Sequence, residues 1–153
     1  MIGADCCDTD CEYLVVGIPG PPGPPGGGGG GPAEDLRITG TAAVPLGGHR
    51  AVYRRADGLI DYADAATLSH MSRAIGITTA AAAAGGAVTI VMLGEMTEGS
   101  WTWTPGGAIF LGLNGVLTQN VPALPGSAFQ AVLGVAVTST TMYVDRQPSI
   151  DLS

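Results

Sequence analysis

The sequence predicts a mainly β protein: a compact β-sandwich or barrel-like head with at most one short helix, preceded by a collagen-like or polyproline stem. Three observations carry that expectation. Glycine recurs at every third position of "GIPGPPGPPGGGGGGP", at Gly17, Gly20, Gly23, Gly26 and Gly29, until Pro32 takes the place of the next one. Only glycine fits the crowded axis of a collagen triple helix, and proline suits both outer positions. Beyond the stem, short apolar runs alternate with period two and are separated by Asx-Gly turns, the pattern of strands and hairpins. Finally, 46% of the chain is apolar and only 12% charged, a balance that buries a core instead of staying disordered.

Composition divides the 153 residues into three zones. Residues 1–16 hold four acids (Asp5, Asp8, Asp10, Glu12), no base, and all three cysteines, Cys6, Cys7 and Cys11. They end in an apolar patch, Tyr13, Leu14, Val15 and Val16, which has no core of its own to join and is the expected anchoring segment. Three thiols at this spacing are a weak zinc signal, because a closed structural site takes four ligands. An interchain disulfide that locks three strands in register and plain reduced thiols both stay open. Residues 17–32 are the stem, with Gly17, Gly20, Gly23 and Gly26 expected on the axis of a trimer. The run Gly26–Gly31 either continues that register or serves as a flexible linker. Five triplets cannot hold three chains alone, so the heads are expected to trimerise and supply the local concentration. Residues 33–153 are the head, 121 residues, enough for one hydrophobic core but hardly for two.

Within the head, "HRAVYRRADGLIDYA" places Asp57-Gly58 between two alternating runs, a hairpin signal. "DAATLSHM", residues 64–71, is the one helical stretch, with Asp64 as its N-cap. Residues 74–94 carry no charge and are long enough to cross a bilayer. Yet Thr78, Thr79 and Thr89 lie within them and Gly85-Gly86 divides them into unlike halves, so the expectation is strand, loop, strand. The five alanines at 80–84 are too few for a self-supporting helix and run straight into glycine. In "GAVTIVMLGEMTEG", Val88, Ile90 and Met92 fall on one face and Thr89, Val91 and Leu93 on the other. Both faces are mostly apolar, so cover on both sides is expected. "AIFLGLNGVLTQ" is a second hairpin, turning at Asn114-Gly115, and "FQAVLGVAVTSTTMYVD" gives two more strands about a Thr-Ser-Thr turn. A weak echo links "IGITTAAAAAGGAVTIV" with "LGVAVTSTTMYV": apolar-Gly-apolar, a turn of small residues, then β-branched alternation.

All six basic residues are arginine. A phosphate-binding loop ending in Gly-Lys-Ser/Thr and lysine Schiff-base chemistry are thereby excluded. A formal charge of −7 without a basic stripe makes a poor nucleic-acid binder. The acidic start lacks the basic opening of a secretory signal. The only histidines, His49 and His70, have Asp57, Asp61 and Asp64 near them in sequence, but no Gly-x-Ser-x-Gly elbow accompanies them. Two histidines with distant carboxylates do not make a zinc site either. No catalytic residue, cofactor or metal is expected, and His70 reads as a packed or interface side chain. Trp101 and Trp103, the only tryptophans, point to one face if their segment is extended. They form either a platform for a host sugar or anchors in the core or between subunits. The Pro105-Gly106-Gly107 turn directly after them favours a packed strand end.

Four stretches carry a resemblance: "AVYRRADGLIDYADA", "HMSRAIGITTAAAAAGGAVTIVMLGEM", "WTWTPGGAIFLGLNGVLTQ" and "LGVAVTSTTMYVDRQPSI". Together they resemble a small β domain of tailed-bacteriophage structural proteins, the head-decoration, head-fibre and tail-fibre components, where it often follows a collagen-like or other fibrous stem. The resemblance spans residues 45–150, and the "WTWTPG" to "LTQ" segment is its most specific part. It implies a homotrimer without catalytic residues, placed on the capsid surface or tail of the virion and assembled in the host cytoplasm. The expected partner is the major capsid protein or another virion protein, met through residues 1–16, which lie outside the resemblance. The alternative it implies is a tail-fibre or tail-tip component that binds a host receptor or glycan.

Overall fold

The structure is a computed structural model that describes residues 35–153. The patch Tyr13–Val16, the stem glycines and the three cysteines lie outside the described residues. The strands are β1 (Leu36–Thr41), β2 (Ala51–Arg54), β3 (Ile60–Tyr62), β4 (Ala74–Thr78), β5 (Ala87–Thr97) and β6 (Ala108–Leu111). They continue with β7 (Leu117–Thr118), β8 (Phe129–Gln130), β9 (Val132–Ala136), β10 (Thr141–Asp145) and β11 (Ile150–Asp151). Nine of them join in one antiparallel sheet of order β3-β2-β4-β5-β10-β9-β6-β7, with β1 added on β5, and the sheet curls into a half-barrel. β8 and β11 form a separate pair. The mainly β expectation holds, in its barrel-like form.

Both predicted hairpins form, β2–β3 across Asp57-Gly58 and β6–β7 across Asn114-Gly115. Asn114 (φ 50°) and Gly115 (φ 72°) are both left-handed, a conformation that asparagine tolerates and glycine adopts freely. Residues 74–97 are strand, loop and strand, and the alanine run is a loop tied to Leu46 by a backbone bridge at Ala82. The Thr138-Ser139-Thr140 turn connects β9 and β10. Residues 64–71 differ from expectation. Only Leu68–His70 make a single 3₁₀ turn, and Asp64 is not its cap. The Asp64 carboxylate instead accepts the N–H of Ala66 (2.8 Å) and that of Asn114 (3.3 Å), a local turn bond and a tie to the second hairpin. Such side-chain bonds offer the backbone an alternative to a helix.

The weak echo in the sequence is the visible edge of a larger repeat. Strands β2-β3-β4-β5 and β6-β7-β9-β10 pair in the same way, so the sheet order reads alike from either end. The pairs Ala51–Ile77, Val52–Gly76 and Tyr53–Ala74 correspond to Ala108–Val135, Ile109–Gly134 and Phe110–Val132, with the ladder irregularity at the same step. Tyr53–Asp61 and Arg54–Ile60 correspond to Phe110–Thr118 and Leu111–Leu117. Ile77–Val91 and Thr78–Ile90 correspond to Val135–Tyr143 and Ala136–Met142. The shared glycine has one steric role in both repeats. A methyl group on Gly76 would run into the Val91 carbonyl of β5, and one on Gly134 into the Tyr143 carbonyl of β10.

Two apolar clusters hold the head together. The first repeat puts Val52, Ile60, Val88 and Ile90 into one, with Ala42 and Leu46. A parallel bridge from Ala42 to Ile60 brings the chain after β1 back onto β3 around this cluster. The other face of the same repeat, with Ala51, Ala74, Ile77 and Val91, packs into the second cluster beside Ile109, Leu111, Leu133 and Met142 of the second repeat. Phe129, fully buried on β8, closes that cluster. Ile90 and Val91 are both fully buried, so at these positions β5 is covered on both sides as expected.

Candidate functional site

The loop from Glu98 to Gly107 carries both tryptophans and is held by backbone bonds to the β9–β10 hairpin. The Glu98 N–H donates to the Thr140 carbonyl (2.9 Å), Trp103 N–H to Ser139 (2.8 Å) and Gly106 N–H to Ala136 (2.8 Å). The segment is not a strand: Glu98 and Trp103 donate to the turn residues Thr140 and Ser139, and Gly106 alone of these three reaches β9, at Ala136. The two indoles nonetheless meet, with centroids 5.5 Å apart and planes tilted by 48°. Each is half-buried and packs against the second cluster. The Trp103 Nε1–H is buried and has no hydrogen-bond partner among the described residues.

His49 joins this group from the loop before β2. Its backbone is left-handed (φ 56°), an uncommon conformation for a residue other than glycine, and its N–H donates to the Thr78 carbonyl (2.8 Å). So held, its imidazole meets Trp101 edge to face at 5.4 Å, and Nδ1 lies 3.0 Å from Glu98 Oε2. The Ser100 backbone N–H and hydroxyl, and then the nearby imidazole, hold the Glu98 carboxyl below its usual range. A polar cleft of about 200 Å³ opens alongside, lined by Arg37, His49, Thr79, Glu95 and Thr97 among others. Its donors and acceptors can hydrogen-bond hydroxyl groups.

Of the two histidines, only His70 lies beside an acid that is near it in sequence. His49 meets Glu98, far along the chain, and not Asp57, Asp61 or Asp64. No local spacing signals that contact, since the sheet makes it. His70 does stay near Asp64, but as a packed side chain: it stacks on Tyr53 (3.9 Å, 24°) and its Nδ1 accepts the Asp64 backbone N–H (3.2 Å). Burial is the main cause that lowers its pKa from the ordinary 6.5, with Asp64 and Asp61 opposing. Among the described residues no three His, Cys, Asp or Glu side chains are grouped to hold a metal ion, and neither imidazole hydrogen-bonds a serine. No protein-family model matches the chain, and no curated protein matches it.

Proposed function

We propose that this chain is a non-enzymatic structural protein of a tailed-bacteriophage virion, a homotrimeric capsid decoration or head fibre that projects from the particle. One observation supports the reading: a sequence in collagen register, residues 17–31, directly precedes the chain of a curled β head. A collagen stem requires three chains. The head leaves large apolar side chains in solvent, with Leu36 51% and Ile150 59% exposed, which suits a subunit that meets others. Residues 1–16 attach the trimer through Tyr13, Leu14, Val15 and Val16 to the major capsid protein or another virion protein. Their acids meet a basic rim there, and three weak contacts act together. Among the described residues no helix is long and apolar enough to cross a membrane.

The second reading is a tail-fibre or tail-tip component that binds a host receptor or glycan. The polar cleft lined by His49, whose imidazole meets Trp101, supports it. The packed state of both indoles supports the decoration reading over it.

The test is electron microscopy of purified particles made with the full chain and with a chain that lacks residues 2–16. The full chain is expected at regular positions on the capsid, and the shortened chain is expected to stay folded in solution and leave particles bare. Full occupancy by the shortened chain would overturn the anchoring role, and absence of the full chain from particles would overturn the virion reading.

A further inference from the structure

The second repeat leaves open a face that the first repeat buries. In the first repeat Ala51, Ala74, Ile77 and Val91 are all at most 1% exposed, because the second repeat covers them. Their counterparts by strand pairing are Ala108, Val132, Val135 and Tyr143. These four line the outside of β6-β9-β10, where Val135 is 40% exposed, and they border a shallow apolar groove of about 260 Å³. The same sequence pattern thus builds one covered sheet face and one uncovered one.

The groove ends at Asp145 and Gln147, whose side chains bond each other (3.0 Å). These two residues, with Arg146 between them, also border a second opening, lined by Leu36, Ile75, Met92, Leu93 and Pro148. Leu36 and Asp145 both pair with Leu93 on β5, so the first strand after the stem starts beside this ridge. Asp35 lies six steps along the chain from the last in-register glycine, Gly29. Fully extended, they reach about 20 Å. A head of this length has a radius of gyration of about 13–14 Å and is therefore roughly 35 Å across. Three heads whose first residues all lie within about 20 Å of one axis are held at high local concentration, which makes another head the most available occupant of the groove.

We propose that the occupant of this groove is a second copy of the chain: the β6-β9-β10 face of one head packs against the Leu36–Leu93–Pro148 face of the next, around a three-fold axis near the Asp145–Gln147 ridge. A cyclic trimer needs two different faces of this kind, since each contact joins unlike patches. The proposal rests on the trimeric reading above and names the surfaces that make it.

The experiment is light scattering coupled to size exclusion on the full chain at micromolar concentration. A reductant is present, so that Cys6, Cys7 and Cys11 cannot link the chains. Wild type is compared with Val135→Arg, Leu36→Arg and, as a control away from both faces, Val121→Arg (63% exposed in wild type). Circular dichroism checks each fold, and Val135→Gln replaces the arginine variant if that one does not fold. The expected result is a trimer for wild type and Val121→Arg, and monomers for the other two, with apparent affinity lowered at least 10-fold. A trimeric wild type that survives both interface variants would overturn the assignment of surfaces while leaving the trimer intact. A monomeric wild type would overturn the trimeric reading itself.

Discussion

Replacing Trp103 by phenylalanine is expected to leave the head at least as stable as it was, while alanine weakens it. The side chain packs on the second cluster, and its Nε1–H is buried without an acceptor among the described residues. Two terms oppose each other in the phenylalanine variant. The smaller ring gives up roughly 40 Å² of apolar contact, about 1 kcal/mol. It also removes an unpaired donor whose burial costs about 1–3 kcal/mol. The sum lies between no change and a gain of about 2 kcal/mol. Truncation to alanine costs about 3–5 kcal/mol for a buried aromatic ring, and loss of the unpaired donor offsets about 1–3 kcal/mol of it, leaving a net loss centred on about 2 kcal/mol. Urea unfolding followed by far-ultraviolet circular dichroism, with an unchanged m-value, measures both. If phenylalanine destabilises as much as alanine, the N–H has a partner in the assembled protein and the reasoning fails.

Two further outcomes follow from the fold. Gly76→Ala and Gly134→Ala each force a methyl group against a carbonyl of the neighbouring strand, so both are expected to lower stability by about 1–3 kcal/mol, and by similar amounts. A neutral Gly134→Ala in thermal unfolding would show that the repeat does not extend to this contact. His70 is expected to make stability depend on pH. Its folded-state pKa lies below 6.5, so the folded chain binds fewer protons than the unfolded chain between the two values. Stability is full above about pH 6.5 and falls as pH drops toward the lowered value. His70→Asn keeps an acceptor for the Asp64 N–H without a titrating group, and is expected to flatten the fall in melting temperature between pH 7.5 and 5.5. An unchanged slope would show that another group causes it.

Elements set by local chemistry were legible in the sequence. Asp57-Gly58 and Asn114-Gly115 mark their hairpins because the turns need residues that tolerate left-handed backbone, and flanking alternation aims the side chains. The Asp64 segment misled because its carboxylate bonds across to Asn114, a partner 50 residues away that helix-capping rules do not see. The tryptophan loop was legible as packed but not as irregular, because its hydrogen bonds run to a hairpin turn. The His49–Glu98 pair was invisible, since only the curl of the sheet brings the two together. The repeat showed weakly for a similar reason. Val for Ile, Tyr for Phe and Asp for Asn preserve its pairing pattern while erasing most identities.

The open face of the second repeat also raises a matter of growth and termination. Packing like on like in one direction always leaves a free end, and a head that offers one uncovered face invites addition of another head, then another. Nothing in such a contact counts to three; whether it closes into a ring depends on the angle of each step, and one that fails to close gives filaments. The proposed three-stranded stem would set the count from outside the contact, by exhausting the local supply of heads. Heads severed from their stems would then differ from whole chains less in fold than in where assembly stops.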